Sequence, residues 1–222
     1  MKRSSLSRCG RASRAFPCLV ICLFSLSSAY SQDIRWGVQG GLSLSGGIAR
    51  EGQVLIKGNP GAGFSVGGSI DISLPDPRFS VRSGLLFQRE ASHADIFDND
   101  TYIRVSYIHL PIDLIYHSDL AQKKLFFGFG PWVAYGVSGK YTQQGYTYSI
   151  HFGNSELNDD AHHVDLGLGF LVGYVLKPDM TLTGTFDLGL RDVSSDPQFV
   201  TIHTRSFGVS FVYMMPKALV RK

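Results

Sequence analysis

Gly63-Phe64-Ser65-Val66-Gly67 has the G-x-S-x-G spacing of a serine nucleophile elbow. That chemistry needs the serine on a sharp strand-to-helix turn, with its oxygen lifted clear of the backbone. Here the motif lies inside an alternating apolar–polar segment that reads as one strand, so no catalytic residue is assigned. His162-His163 follow Asn158-Asp159-Asp160, and Asp95, Asp98 and Asp100 cluster in another polar stretch. Imidazoles and carboxylates can hold a divalent cation. Neither run has EF-hand spacing or a helical pair of histidines four apart. Solvated loop polarity is therefore expected, with no metal and no cofactor. Tyr141, Tyr146, Tyr148 and Phe152 make the 140–162 stretch aromatic-rich. Two readings fit it: an exposed recognition surface, or a loop folded over the end of the fold. Finally, six charged residues interrupt otherwise apolar or small-residue segments: Asp71, Arg82 and Asp113, then Asp165, Asp187 and Arg191. An arginine held between two carboxylates makes charge-assisted hydrogen bonds that let it be buried.

What could position those groups is a set of segments with period two. Residues 36–44, 63–74, 79–90, 107–116, 125–138, 164–176, 182–191 and 205–213 each alternate large apolar side chains with Gly, Ser, Thr and a few charges. In 164–176, for example, Val164, Leu166, Leu168, Phe170, Val172, Tyr174 and Leu176 oppose Asp165, Gly167, Gly169 and Gly173. Strict alternation is the mark of a strand with two unlike faces. Eight such strands are joined alternately by short turns (75–78, 118–123, 177–180) and long polar stretches (46–60, 91–102, 140–162, 192–202). This predicts an all-β fold, an eight-stranded antiparallel up-and-down transmembrane β-barrel with short periplasmic turns and longer external loops.

A soluble periplasmic barrel of lipocalin type would alternate too, with its apolar face inward. Its wet outer face should carry Lys and Glu. Here Lys57, Lys123, Lys124, Lys140, Lys177, Lys217 and Lys222 all fall at turns, loops, strand ends or the tail. The polar faces are mostly small residues, which suits a lumen that eight strands leave just wide enough for side chains. Gly128, Gly130, Gly167 and Gly169 would make room there for Phe126, Trp132 and Leu171, and His109 is expected inside with its hydrogen bonds satisfied. Across the 75–78 turn parity allows Leu74 to pair with Phe79, which puts Asp71 opposite Arg82; if Phe79 also pairs with Tyr116, Asp113 falls on the other side of Arg82. A second group, Asp165, Asp187 and Arg191, is expected near the opposite end. These six are read as a structural polar network in the lumen. Trp36, Phe79, Tyr116, Phe127, Tyr174 and Tyr213 share the apolar parity and lie nearest the short turns or termini. They are expected to form one interfacial aromatic belt.

The first 31 residues read as a secretory signal peptide. Lys2, Arg3, Arg8, Arg11 and Arg14 precede an apolar run from Ala15 to Ser27, and Ala29-Tyr30-Ser31 supplies small residues before a cut. Lipidation at Cys22 is the rival reading, opposed by bulky Val20-Ile21. The barrel domain is then 32–215, with a tail at 216–222. The whole chain has net charge +3, but the leader holds five of its 21 basic residues and none of its 18 acids, so the remainder carries 16 against 18, or −2. Nucleic-acid binding loses its electrostatic motive. Cys9, Cys18 and Cys22 all lie in the leader, which leaves no thiol for disulfides or thiolate chemistry in the domain. With 44% hydrophobic and 18% charged residues, disorder is excluded.

The stretches RWGVQGGLSLS (35–45), FSVRSGLLFQREA (79–91), YIHLPIDLIYH (107–117), LFFGFGPWVAYGVSGKY (125–141) and DLGLGFLVGYVL (165–176) resemble the PorT-type outer-membrane β-barrel domain proteins of Gram-negative bacteria. The resemblance implies an integral barrel of the cell outer membrane. Some members serve protein secretion and gliding. One departure is the C-terminus: such barrels often end on an aromatic assembly signal, whereas here Tyr213-Met214-Met215 is followed by Pro216 to Lys222. The expected partners are outer-membrane lipids and other envelope proteins reached through the external loops. A lipid-modifying enzyme and a secretion-system component are the alternatives.

Overall fold

The computed structural model describes residues 33–51, 54–57, 59–96, 99–153, 162–191 and 200–216. The expected leader, residues 217–222 of the tail, Asp98 and Asn158-Asp159-Asp160 lie outside them. Among the described residues ten strands form: β1 (Ile34–Glu51), β2 (Val54–Lys57), β3 (Asn59–Ser73), β4 (Phe79–Ile96), β5 (Asn99–His117), β6 (Leu125–Gln143), β7 (Tyr146–Ile150), β8 (Val164–Lys177), β9 (Met180–Gly189) and β10 (Val200–Met214). All but β2 and β7 build the barrel. Each barrel strand pairs antiparallel with its neighbour, and β10 pairs back onto β1 from Gly37↔Met214 to Glu51↔Val200. The eight-stranded barrel is therefore closed and has no free edge to satisfy.

The short turns are made by local hydrogen bonds. At 75–78 the Leu74 N–H donates to Phe79 O at 3.0 Å and the Arg78 N–H donates to Asp76 Oδ1 at 3.0 Å. At 118–124 the Leu120 N–H donates to Ser118 Oγ at 2.9 Å, and the Ser118 N–H to Leu125 O at 3.0 Å.

The long connections differ from expectation. The β4–β5 ladder continues unbroken to Ile96↔Asn99, well into the 91–102 stretch. The 140–162 stretch begins as a β6–β7 hairpin turning at Gln144-Gly145, both at positive φ (50° and 83°), which matches the right-handed twist of paired strands. β2 returns along β1 in the same way. The physical reason is that these extensions stand beyond the apolar wall. Backbone pairing persists there, but β2 and β7 are only four and five residues long, and the outer parts of β4 and β5 mix Glu90, Ser92, Asp95, Arg104 and Ser106 among their apolar residues, so no sustained period-two stripe marks them. A second difference is a bulge: Tyr107 pairs with Gly136 and Ser106 with Ser138, leaving Val137 extra. The parity of β6 shifts there, and Ser138 points outward.

The apolar stripes face away from the barrel axis. Leu42 is 73% exposed, and Val38, Leu85, Phe129, Phe170 and Phe211 are likewise exposed on the outer wall. The lipocalin alternative requires the opposite orientation and is set aside. The lumen is packed. Ile115, Phe126 and Leu171 cluster toward the short-turn end. A Cβ at Gly128 would meet Ile115 Cδ1 at 2.6 Å and Leu171 Cγ at 2.8 Å, and one at Gly173 would run into the Phe126 ring. Trp132 fills the space beside Gly167. Glycine is needed at these places because large rings from adjacent strands occupy the volume a side chain would take.

Candidate functional site in the barrel lumen

The register sets Asp71 opposite Arg82 and Arg82 opposite Asp113, across β3, β4 and β5. Arg82 Nη2 and Nε donate to Asp71 Oδ2 at 2.9 and 3.2 Å, and Asp71 is only 1% exposed. The guanidinium carbon lies 5.1 Å from the centroid of the Phe126 ring, a cation–π placement. The expected triad is incomplete. Asp113 makes no ion pair with Arg82, and Arg82 Nη1 has no hydrogen-bond partner in the protein. The guanidinium is committed to Asp71 and to the Phe126 face. The Asp113 carboxylate instead lies toward β8: a Cβ at Gly169 would sit 3.8 Å from Asp113 Oδ1 and 3.0 Å from Asp187 Oδ1.

The second expected group is also rearranged. Asp165 and Asp187 both line a small cavity of about 20 Å³, together with Glu90, Tyr107, His109 and Trp132. Asp165 Oδ2 accepts from Thr204 Oγ1 at 2.8 Å. Arg191 does not line this cavity. It follows the end of β9, where its backbone N–H donates to Leu166 O at 3.3 Å. Glu90 takes a place in this group that sequence reasoning did not assign, and accepts from Gln88 Nε2 at 2.7 Å. Its lumen parity was visible in the sequence. Which lumen residues meet across the barrel was not. His109 is buried with its ring 5.2 Å from that of Trp132, but His109 Nδ1 and Trp132 Nε1 lack protein partners, against the expectation of a satisfied histidine. A second cavity of about 70 Å³ lies beside these groups, bordered by Gln39, Gln88, His109, Asp113 and Asp187. It has room for a few waters, which such polar atoms would hold.

The other candidate residues fall as follows. Ser65 lines the larger cavity from the middle of β3, without the turn a nucleophile elbow needs. His163 stacks on Tyr135 at 5.0 Å and on Phe152 at 5.7 Å, and His162 Nδ1 lies 3.3 Å from Gly153 O. Asp95 pairs in register with Asp100. The aromatic-rich stretch divides between its two readings. Phe152 packs onto the barrel over Gly136, whereas Tyr146 is 70% exposed at the hairpin tip and Tyr141 stacks on Tyr148 at 5.2 Å. Of the belt residues, Trp36, Tyr116, Phe127, Tyr174 and Tyr213 are exposed on the outer wall and Phe79 is half-buried. Phe79, Tyr116 and Phe127 lie directly opposite one another on three consecutive strands, and Tyr213 pairs with Val38 beside Trp36.

A closed barrel with an apolar outer wall and a polar, filled lumen is the architecture of an integral outer-membrane protein. The chain matches the outer membrane protein beta-barrel domain family over residues 29–195 and belongs to that family. No curated protein sequence matches it. Among solved structures it is similar to neisserial surface protein A, at 15% identity and TM-score 0.48 over 80% of this chain and 96% of that one. It is also similar to the attachment invasion locus protein of Yersinia pestis in complex with the heparin analogue sucrose octasulfate, at 10% identity and TM-score 0.45 over 82% and 99%. A third is OprG from Pseudomonas aeruginosa, at 8% identity and TM-score 0.42 over 83% and 97%. At such identities a likeness concerns fold alone, and the fold here rests on the closed strand ladder itself.

Proposed function

We propose that this outer-membrane barrel is a non-porous, non-enzymatic protein of PorT-like type whose role is structural or interaction-based. Its signal peptide would be removed after Ser31, and its long hairpins would present it to other envelope components. The observation that carries this reading is the filled lumen. Phe126, Ile115, Trp132 and the Arg82–Asp71 pair occupy the axis, and the cavities between side chains are about 70 and 20 Å³. That is space for a few waters and not for a continuous solute path. The β4–β5 and β6–β7 hairpins offer the complementary feature, a paired and therefore ordered platform carrying exposed Tyr146 and Tyr148. Rings on an ordered hairpin lose little entropy on docking, which favours protein recognition.

Reconstitution in planar bilayers tests the first half: the purified barrel is expected to show no stepwise conductance, and regular single-channel currents would defeat the reading. A photo-crosslinking residue at Tyr146 tests the second. It is expected to give one discrete adduct in intact cells, lost when Tyr148 is also replaced by Ala. Absence of any adduct at either position would leave the hairpins without the role assigned to them. Mass spectrometry of membrane lipids from a deletion strain separates the lipid-modifying enzyme alternative, which requires an altered lipid.

A further inference from the structure

Above the apolar wall, on the long-hairpin side, three basic residues converge on the outer face. Ile108, the last apolar residue of β5 on this face, pairs with Phe87 and Tyr135. One step further, Arg89 pairs with Ser106 and Ser106 with Ser138. The next row is Ala91, Arg104, Lys140 and Ser149, so Arg104 and Lys140 stand directly opposite each other on β5 and β6. His93 and Tyr102 follow, their rings 4.5 Å apart, with the Arg104 guanidinium 5.1 Å over the Tyr102 ring. Like charges placed directly across a strand pair repel and weaken the pairing. Among the residues whose side chains are described, no carboxylate lies within ion-pair distance of Arg89, Arg104 or Lys140. The acids of the same strands do not help. Glu90 and Asp113 face the lumen, and in the backbone register Asp95 and Asp100 stand two rows beyond Arg104, past His93 and Tyr102.

The level of this cluster identifies what would balance it. At about 3.3 Å per residue along a strand tilted by about 40°, the ten residues from Phe79 to Arg89 rise about 25 Å along the membrane normal, and the twelve from Tyr116 to Arg104 about 30 Å. An apolar band is about 25 Å tall. With the aromatic belt at one interface, Arg89 stands at the opposite edge of the hydrocarbon and Arg104 and Lys140 stand in its headgroup layer. They are on the wall that meets lipid, where the layer's anions are phosphates. We infer that Arg89, Arg104 and Lys140 form a binding site for the phosphate headgroup of an anionic lipid in the leaflet on the long-hairpin side. An arginine fork takes two phosphate oxygens and the opposed lysine a third, which turns the Arg104–Lys140 repulsion into attraction.

The test uses the full barrel in phosphatidylcholine nanodiscs containing a minor fraction of bisphosphorylated lipid A or of its dephosphorylated form, with lipid retained through extraction measured by mass spectrometry. The parent protein is expected to enrich the phosphorylated lipid about tenfold over the dephosphorylated one. Arg104→Gln with Lys140→Gln is expected to abolish that preference while keeping the heat-modifiable gel shift of a folded barrel, and Arg104→Lys to retain most of it. Equal retention of both lipids by the parent would overturn the proposal, as would an undiminished preference in the double variant. Full displacement of the lipid by inorganic phosphate would also overturn it, because the site would then serve a soluble anion.

Discussion

The lumen and the outer wall of this barrel follow opposite rules with the same strands. Inside, the buried side chains are largely polar: Asp71, Arg82, Gln88, His109, Asp113, Asp165, Thr183 and Ser210. Outside, on the wall that meets lipid, Leu42, Phe129 and Phe211 are exposed. In a water-soluble protein each set would be anomalous. Here the outer medium is hydrocarbon, so apolar exposure costs nothing and polar groups are driven inward, where each must find a partner in a confined space. The two regions also differ in tolerance. The outer wall is fluid on one side and adapts to a changed shape. Beside the packed rings of the lumen, away from its two small cavities, a single methylene has nowhere to go.

The contrast can be broken most severely at the buried pair. Arg82→Ala leaves Asp71 charged or protonated without its partner, and truncating one member of a buried pair costs about 3–5 kcal/mol. Urea unfolding of the barrel in lipid vesicles should show that loss without any conductance appearing. Next comes polarity on the wrong face. Leu42→Arg sets a guanidinium against acyl chains, at about 2–4 kcal/mol near the bilayer midplane. The loss should be visible in the same assay, and an undestabilised variant would mean that Leu42 does not meet lipid. Shape is the third lever. Gly173→Ala drives a methyl into the Phe126 ring, whereas at Gly184, on the outer wall, the nearest atom to an added Cβ is 3.7 Å away. Overpacking should cost about 1–3 kcal/mol at Gly173. Gly184→Ala should be neutral or slightly stabilising, and equal effects would erase the distinction between the regions.

The smallest effect belongs to neither region. Arg78 hydrogen-bonds the Asp76 carboxylate in the exposed β3–β4 turn and holds its pKa below the usual carboxylate value. A depressed folded-state pKa contributes stability above the unfolded value of about 3.9 and loses it as pH falls through the folded one. Asp76→Asn should therefore differ marginally from the parent at neutral pH and not at all in strong acid, as read from paired unfolding midpoints.

The alternation was enough to find all eight barrel strands and the parity of their faces. It allowed Asp71 opposite Arg82 across the short 75–78 turn, whereas Phe79 opposite Tyr116 entered only as a condition because a long connection joins those strands; the ladder holds both pairs. The sparing use of lysine and the small polar faces were enough to say that the apolar stripes look outward. Three features needed the closed barrel. The hairpin extensions carry no sustained stripe: β7 alternates Tyr146, Tyr148 and Ile150 with Thr147 and Ser149 over only five residues, and the outer part of β4 and β5 is mixed, so neither was read as strand. The Val137 bulge shifts the parity of β6 and brings Lys140 to the outer face beside Arg104. Finally, Arg82 chooses Asp71 over Asp113, and Glu90 joins Asp165 and Asp187 in place of Arg191. Parity along one strand states which way a side chain points, while meetings across the lumen depend on the curvature of the closed sheet and on which rings already fill its axis.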